Sequence, residues 1–388
     1  MVLGHRRLSI LDTGEGANQP FHIGDDVLVF NGEVYNYLEL RRELEAAGAH
    51  RFSTQGDTEV VLAALRHWGL EGALKRFNGM FALAWWSAAE RRLILVRDRL
   101  GIKPLYWHQT PEGTLLFASE VHALLASGKV RRALNRDAVS DQWMYGTVQA
   151  PATIVSGVQL LEPGSLLVAQ DEDIRVAQWW DPADEALGEP ALDDRARCMR
   201  IRELLSDSVA LRMRSDVAYG AFLSGGIDSS AVVGLMSEVA TQPVSTFSVT
   251  FAEAALDESP WSRAVAKRFG TDHHELRLTP EDFLAQVPHG LDAMDHPSAD
   301  GLNTYVVSGA TRRAGVKVAL SGLGGDELFA GYPVFERSAR LAKLNWLGSW
   351  PKGGRRLLGK MLVAARPGMT SRKQAEIFGG HYFDVAHT

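Results

Sequence analysis

Hydrophobic and polar positions follow two different patterns along the chain of 388 residues. Up to about residue 170, short apolar runs are separated by turn residues, and "GMFALAWWSAAERRLILVRDRLG" and "TLLFASE" predict strands. Two stretches between them, "YLELRRELEAAG" and "DTEVVLAALRHWG", have helical spacing, and Asp57 is expected to be the N-cap of the second. The stretch "VLVFNGEVYN" predicts a strand that runs into a glycine turn. These residues predict an α+β domain rich in sheet.

From about Asp193 onwards, apolar runs typical of buried strands alternate with helical stretches. The runs "VAYGAFL", "PVSTFSVTF" and "VKVAL" predict strands, and "ARCMRIRELLSDSVALRMRS", "SPWSRAVAKRFG" and "NTYVVSGATRRAG" predict helices. This alternation predicts a doubly wound parallel sheet, which binds ligands at the carboxyl ends of its strands. We therefore expect a first domain at residues 1–170, a linker at 171–194 and an α/β domain at 195–388.

Composition excludes several classes of protein. A net charge of −6 argues against a nucleic-acid-binding protein, which normally has a basic face. The single cysteine, Cys198, excludes a disulfide framework and a Cys-rich metal cluster, and its helical setting predicts a small buried apolar side chain. The sequence contains neither a signal-peptide pattern nor an apolar run that could span a bilayer, so we expect a cytoplasmic enzyme without a membrane partner.

The stretch "FLSGGIDSS", Phe222–Ser230, places glycines, hydroxyls and a carboxylate where a predicted strand meets a helix. Gly225 and Gly226 allow close approach to backbone N–H groups, which bind phosphate at a helix N-terminus. Asp228 indicates a bridging cation such as Mg²⁺. The stretch lacks the lysine of the Walker pattern, so we interpret it as a loop for the β,γ end of ATP. The alternative is an ordinary Gly-Gly turn with capping serines.

A second stretch has the same design. In "VALSGLGGDELFAGY", Val318–Tyr332, a predicted strand is followed by Ser321, several glycines and Asp326. If both loops lie at carboxyl ends of strands in one sheet, Asp228 and Asp326 can hold a single Mg²⁺ on the triphosphate of a nucleotide.

Both stretches together resemble the synthetase domain of glutamine-dependent asparagine synthetases. The first half resembles the class II glutaminase domain of the same enzymes, an N-terminal nucleophile fold, through "GHRRLSILD", "LVFNGEVYNYLELR", "GDTEVVL", "NGMFALAWW", "RDRLGIKPLYW" and "FASEVHALL". Beta-lactam synthetases share this architecture. The matches cover nearly the whole chain.

The resemblance implies ATP-dependent amidation of aspartate through an acyl-adenylate, with nitrogen from glutamine and release of AMP and pyrophosphate. The implied partners are these small molecules, or another acid in place of aspartate, and a second copy of the chain in a homodimer. Asp228 and Asp326 would hold Mg²⁺. The implied ATP site consists of Leu223, Ser224, Gly225, Gly226, Asp228, Ser229, Ser230, Ser248, Val249, Ser321 and Gly322.

The resemblance also implies a glutamine site in the first half. Arg7 would bind the α-carboxylate of glutamine, and Asp57 with Glu33 would bind its α-amine. The side chain of Asn31 and the backbone N–H of Gly32 would form the oxyanion hole. A guanidinium suits a carboxylate, and two donors suit a tetrahedral oxyanion. Without the resemblance, "FNGEVYN" would be interpreted as a hairpin or strand-end turn.

The sequence departs from the family pattern in two respects. Class II glutaminases use an N-terminal Cys as nucleophile, whereas this sequence opens with Met1-Val2 inside the resembling region. We therefore expect a fragment cut at both ends, without glutaminase activity as written. Leu323 stands where many asparagine synthetases carry an acid, and "DHPSADGLNTY", Asp295–Tyr305, lies where the acceptor pocket is expected. Two alternatives stay open, a ligase acting on another carboxylate and a non-catalytic nucleotide-binding fragment.

Two other groups of residues have simpler interpretations. The run His273-His274-Glu275 suggests a metal site, but neighbours on a strand point to opposite faces, which favours a structural role. The pairs Trp85-Trp86 and Trp179-Trp180 favour core or interface packing over base stacking, because no basic residues lie among them.

Overall fold

The structure is a computed structural model that describes residues 1–185, 192–251, 257–298, 300–343 and 350–365. The chain divides into two compact units, Met1–Ser321 and Gly322–Thr388. No helix among the described residues is long and apolar enough to cross a membrane.

The first unit contains most of the secondary structure. Its strands are β1 (Phe21–Ile23), β2 (Asp26–Val34), β3 (Gly79–Ser87), β4 (Arg92–Arg97), β5 (Tyr106–Gln109), β6 (Leu115–Ala118), β7 (Gln159–Leu160), β8 (Ser165–Gln170), β9 (Asp173–Gln178), β10 (Tyr219–Phe222), β11 (Ser245–Phe251), β12 (Asp272–Leu278) and β13 (Val318–Leu320). Its helices are α1 (Tyr37–Ala46), α2 (Asp57–Arg76), α3 (Val121–Ala126), α4 (Arg136–Tyr145), α5 (Pro182–Glu185), α6 (Asp194–Arg212), α7 (Ile227–Val239), α8 (Ser259–Phe269), α9 (Pro280–Ala293) and α10 (Gly301–Arg313), with a 3₁₀ turn at Glu15–Ala17.

The first half of this unit is built on an antiparallel six-stranded sheet. Its strand order is β1-β2-β3-β4-β8-β9, and a three-stranded sheet with the order β6-β5-β7 lies beside it. Alternate residues of β2 and β3 point to two apolar layers. Phe30 and Phe81 pack with α1 and α2, whereas Val29 and Ala82 pack with the small sheet. The expected α+β half is confirmed.

The second half of the unit is built on a parallel sheet with the order β12-β11-β10-β13. Helices α6, α7 and α8 contribute Val209, Val233 and Ala266 to one apolar core with Ala221 of β10. The chain passes from β10 outward to β12 and then returns to place β13 on the other side of β10. Ligands bind at such a reversal, between the carboxyl ends of β10 and β13. The expected parallel α/β half is confirmed.

Three local expectations are wrong. The predicted glycine turn does not exist, because Gly32 lies inside β2 and pairs with Phe81 of β3. Asp57 is not the N-cap of α2; Gly56 is, and the Asp57 carboxylate instead accepts a hydrogen bond from the N–H of Val34. Cys198 is exposed on α6 rather than buried.

The segment expected to be a linker, 171–194, contains β9 and α5. Strand β9 forms the edge of the six-stranded sheet, and residues 186–191 lie outside the described residues. The domain boundaries stay a prediction.

The second unit contains α11 (Gly325–Leu328), α12 (Pro333–Ala342) and α13 (Lys352–Ala365). The stretch "GLGGDEL" begins this unit, directly after Ser321 of the first.

Candidate active site

One cavity of about 110 Å³ brings together all five residues expected to bind glutamine. Three of them are consecutive on β2, the fourth is the first residue of α2, and the fifth lies in the N-terminal segment. They are Asn31, Gly32, Glu33, Asp57 and Arg7.

The guanidinium of Arg7 is held by backbone carbonyl groups. Its Nη2 donates to the carbonyl oxygens of Leu11 at 2.6 Å and Asp12 at 2.8 Å. Carbonyl acceptors fix the plane of the guanidinium without neutralising its charge. Arg7 therefore keeps its positive charge and a fixed orientation at the cavity, with Nε and Nη1 as its remaining donors.

Two buried carboxyl groups face this cation across the cavity. Asp57 is 5% exposed, and burial raises its pKa to about 6, although the Val34 N–H and the charge of Arg7 act in the opposite direction. Glu33 is 8% exposed, and no described residue forms a hydrogen bond with its Oε1. Burial, followed by the charge of Asp57, raises the pKa of Glu33 to about 7. A buried carboxyl oxygen without a partner requires a donor from a ligand or from water.

The third element of the pocket is a pair of donors. The side-chain amide of Asn31 donates from Nδ2 to Ser119 Oγ at 3.1 Å. An amide nitrogen has two N–H donors, so one is left for a pocket acceptor. Gly32 has a φ of 151°, and a Cβ there would lie 2.0 Å from the carbonyl oxygen of Met80. Only glycine fits this point of closest approach between β2 and β3.

Sequence reasoning missed Lys103, which also lines the cavity. Its charge lowers the pKa of Glu33, against the larger effects of burial and Asp57. The buried Asp98 shapes the loop that carries it, because its carboxylate accepts the N–H groups of Leu100, Ile102 and Lys103. The signal was present in "RDRLGIKP", where an acid and a glycine follow a strand.

The loop after β10 has the local structure expected of an anion-binding turn. Gly225 has a φ of 84°, and a Cβ there would lie 2.7 Å from Trp261 Cβ and 2.8 Å from the backbone nitrogen of Ser262. The hydroxyl groups of Ser224 and Ser229 lie 3.0 Å apart, and Ser230 Oγ donates to the Gly226 carbonyl at 2.6 Å. Helix α7 begins after Gly226 without a side-chain cap, so its first N–H groups remain available.

Other residues expected at the ATP site lie beside this loop. Because Phe222 pairs with Phe247, Ser248 and Val249 extend beyond the end of β10. Ser248 Oγ donates to the carbonyl of Leu223 at 2.6 Å. Val249 of β11 lines a cavity of about 290 Å³, together with other residues of β11 and residues of β12 and α10. Ser321 directly follows β13, the other neighbour of β10.

The donor set for Mg²⁺ consists of two aspartates. Asp228 lies in the first turn of α7, and no described residue forms a hydrogen bond or ion pair with its carboxylate. Asp326 belongs to the second unit. A Cβ added to Gly331 would lie 1.9 Å from Asp326 Oδ1, so glycine is needed beside this carboxylate. The carbonyl of Gly322 accepts the N–H of Gly325. Carboxylate oxygens of this kind fit Mg²⁺, which takes few protein ligands beside phosphate and water. The shared site stays a prediction, and the described residues contain no group of three or more His, Cys, Asp or Glu suited to a metal.

The histidines of β12 take separate positions. His273 contacts the hydroxyl of Thr246 at 2.9 Å, and burial lowers its pKa. His274 stacks on Phe247 with ring centroids 5.1 Å apart.

The tryptophan pairs take part in packing. Trp85 is buried in the core as expected, and Trp86 and Trp179 are partly buried against apolar clusters.

Comparisons with known proteins agree with these two halves. Residues 1–180 match the glutamine amidotransferase domain family, and residues 200–381 match the asparagine synthase family. The chain is 35% identical over 379 residues to asparagine synthetase [glutamine-hydrolyzing] 1 of Bacillus subtilis, which covers 96% of this chain and 58% of that protein. It is 32% identical over 372 residues to amidase chyE of Penicillium rubens, which covers 90% of this chain and 53% of that protein.

A search of solved structures found a glutamine phosphoribosylpyrophosphate amidotransferase from B. subtilis, complexed with ADP and GMP. It overlaps 80% of this chain and 64% of that one at 15% identity, with a TM-score of 0.33, which is too low to define the fold. The chain spans little more than half the length of the two curated relatives described above. By both domain matches and by identity over most of its length, this chain belongs to the glutamine-dependent asparagine synthetase family, with a glutamine amidotransferase domain followed by an asparagine synthase domain.

Proposed function

We propose that this protein serves glutamine-dependent asparagine synthesis. Glutamine supplies the nitrogen, ATP activates aspartate as an acyl-adenylate, and AMP and pyrophosphate are released. The proposal includes Mg²⁺ as cofactor, a homodimer and the cytoplasmic location expected from the sequence.

The observation that carries this proposal is the charge arrangement of the glutamine pocket. One oriented guanidinium, Arg7, faces two buried carboxyl groups, Glu33 and Asp57, in a cavity of about 110 Å³. This arrangement is complementary to the carboxylate and ammonium of an amino acid. The unpartnered Oε1 of Glu33 gains a charged donor when the ammonium binds.

The remaining pocket donors suit the amide end of glutamine. Asn31 and the backbone N–H of Gly32 would stabilise negative charge on the amide oxygen during attack. The attacking thiol is not supplied by Cys198, which is exposed on α6 and is not among the residues that line the cavity. We expect the chain as written to bind glutamine without hydrolysing it.

In the second half, the loop after β10 would hold the phosphates of ATP. The free N–H groups of α7 and the hydroxyl of Ser224 would bind phosphate oxygens, and the hydroxyl of Ser230 would do so by turning away from the Gly226 carbonyl. Leu223, Ser248 and Val249 would flank the adenosine. Asp228 and Asp326 would hold Mg²⁺, which neutralises charge on the departing pyrophosphate when bound.

A second candidate acceptor is a carboxylate other than aspartate, including one that closes a ring. Two observations favour it. Leu323 occupies a position where many asparagine synthetases carry an acid, and a relative of similar identity is named an amidase. The pocket for glutamine is the same in both candidates.

The first test is calorimetric titration of the chain with L-glutamine. We expect binding that Arg7→Ala and Asp57→Asn abolish and that Arg51→Ala, an exposed control, leaves unchanged. Failure of the wild type to bind glutamine would contradict the proposal for the first half.

The second test identifies the acceptor. Pyrophosphate release from MgATP is measured with ammonia and a panel of acids, with Asp228→Asn as the inactive control. Dependence on aspartate supports asparagine synthesis, and dependence on another acid supports the second candidate. ATP binding without release by any acid supports the non-catalytic fragment.

A further inference from the structure

We propose that Asp216, which belongs to the second half, is a positioning residue for Arg7 in the glutamine pocket. This inference rests on the proposed role of that pocket in binding glutamine. Asp216 lies between α6 and β10 and is not among the residues that line the cavity. It acts through a short turn, Ile10–Asp12.

The Ile10–Asp12 turn supplies the short hydrogen bonds that hold Arg7. The guanidinium Nη2 donates to the carbonyls of Leu11 at 2.6 Å and Asp12 at 2.8 Å, and Nη1 makes a longer contact of 3.5 Å to Gly14. A shift of the turn therefore moves or releases the guanidinium. The directions of the remaining guanidinium donors depend on the plane of that group, so such a shift weakens binding of the amino-acid carboxylate.

The turn has a backbone conformation that needs support. Asp12 has a φ of 47°, in the left-handed region that residues other than glycine seldom adopt. Its carboxylate accepts the N–H of Gln55 at 2.6 Å, which ties it to the loop before α2.

Asp216 supports the Ile10–Asp12 turn from the second half. The N–H of Asp12 donates to Asp216 Oδ2 at 2.7 Å, and the N–H of Asp216 donates to the carbonyl of Ile10 at 3.1 Å. The two bonds clamp both ends of the turn to a single residue. Without its side chain, the Asp12 N–H loses a charged acceptor, and the bond that selects the left-handed conformation is gone.

The segment that carries Asp216 is itself fixed on the first half. Arg214 donates to both carboxylate oxygens of Glu39 at 2.7 Å and to the carbonyl of Tyr35 at 2.7 Å. Ser215 Oγ bonds the backbone of Val217 at 2.9 Å, which shapes the turn between them. Asp216 thus has a defined position from which to hold the Ile10–Asp12 turn.

The test compares L-glutamine affinity by calorimetry in the full chain. We expect Asp216→Ala to raise the Kd about tenfold and Asp216→Asn, which keeps one acceptor oxygen, to raise it less than threefold. The control is His296→Ala, which breaks a different contact between the same halves, the bond from the Ile154 N–H to His296 Nε2; its Kd should stay within twofold of the wild type. A loss of affinity in His296→Ala equal to that in Asp216→Ala would mean a general loosening and would overturn the inference.

A double-mutant cycle shows whether the effect passes through Arg7. Arg7→Lys keeps the charge but lacks the planar guanidinium that the turn orients. In that background, Asp216→Ala should change the Kd less than twofold. An undiminished tenfold effect would show that Asp216 acts on another part of the pocket and would contradict the inference.

A readout without ligand separates this inference from the proposed function. In the wild type, the guanidinium ¹⁵N signals of Arg7 should show restricted rotation and the Asp12 amide should exchange slowly with solvent. Asp216→Ala should abolish both and His296→Ala neither. If the wild type binds no glutamine but these signals respond, the proposed function fails and the positioning role stands. If the Arg7 signals do not change in Asp216→Ala, the positioning role fails.

Discussion

Glu33 and Asp57 place two carboxyl groups in one cavity, where burial first and the charge of Asp57 second raise the pKa of Glu33 to about 7. Near neutral pH, Glu33 is therefore protonated in a fraction of the protein molecules. An ammonium ligand binds the ionised form and drives this proton off. The pocket thus couples amino-acid binding to proton release.

We expect glutamine binding near pH 7 to release a fraction of one proton. The affinity should fall below about pH 7 as Glu33 becomes protonated, and more steeply below about pH 6 as Asp57 does. Calorimetry in buffers with different ionisation enthalpies measures the released proton. Glu33→Gln should abolish the release and leave a pH profile governed by Asp57 alone. Equal binding enthalpies in all buffers for the wild type would contradict this expectation.

The same group predicts how stability depends on pH. The folded protein holds the Glu33 proton up to about pH 7, whereas the unfolded chain loses it near the ordinary glutamate pKa of 4.5, so the unfolding free energy falls as pH rises between them. Glu33→Gln should therefore stabilise the protein by about 1–2 kcal/mol at pH 8 and by little at pH 4, after allowance for residual solvent access. Chemical denaturation at both pH values measures this difference. Equal effects at both would disprove it.

Gly32→Ala should destabilise the first half by about 2–4 kcal/mol, because the added Cβ would lie 2.0 Å from the carbonyl oxygen of Met80. The two strands must separate where they line the pocket, so glutamine binding should fall as well. Gly4→Ala is the control, since a Cβ there meets nothing within 4 Å. A stability change in Gly32→Ala below about 1 kcal/mol would mean that the strands yield easily.

Asp98→Ala should be among the most destabilising single changes in the first half, at about 3–5 kcal/mol. Asp98 is 1% exposed, and its carboxylate accepts four backbone N–H groups, from Phe81, Leu100, Ile102 and Lys103. Removal leaves the buried N–H of Phe81 and the three partly buried N–H groups unpaired and releases the loop of Lys103. Asp25→Ala, an exposed control, should change the unfolding free energy by less than about 0.5 kcal/mol in the same denaturation experiment.

Asp295→Ala should expose the start of α3 to solvent exchange. Its two carboxylate oxygens accept the N–H groups of Val121 at 2.7 Å and His122 at 2.8 Å, across the boundary between the halves. We expect these two amides to exchange at least tenfold faster in the variant, which corresponds to a loss of about 1–2 kcal/mol. Asp292→Ala, on the exposed side of α9, should not alter them. Unchanged exchange in Asp295→Ala would show that this contact does not hold the helix.

The strands and helices of both halves could be predicted from the sequence because their periods of about two and 3.6 residues reflect burial directly. The failures have physical causes. Gly32 was expected in a turn because glycine favours turns, but here a close approach of two strands requires it. Asp57 was expected to cap its helix, but β2 offers the N–H of Val34, a partner that local sequence does not reveal.

The resemblance named five residues that the structure brings together in one cavity, yet it did not name Lys103, Asp98 or Asp216. Asp98 and Lys103 lie in one local loop, whose position beside the cavity depends on the fold of the first half. Asp216 contacts Asp12 across 204 positions, and that contact depends on how the halves pack, which pattern and spacing do not encode. The metal pair Asp228 and Asp326 stays a prediction from the sequence.

Four residues of the second half contact the first half and thereby limit how chimeras can be built: Arg214, Asp216, Asp295 and His296. All four lie in two short stretches, so a synthetase half taken from a relative should work with this amidotransferase half only if both stretches are transplanted to match. Recombination breakpoints placed at residue 192 or 193, directly before α6, would exchange these determinants all at once.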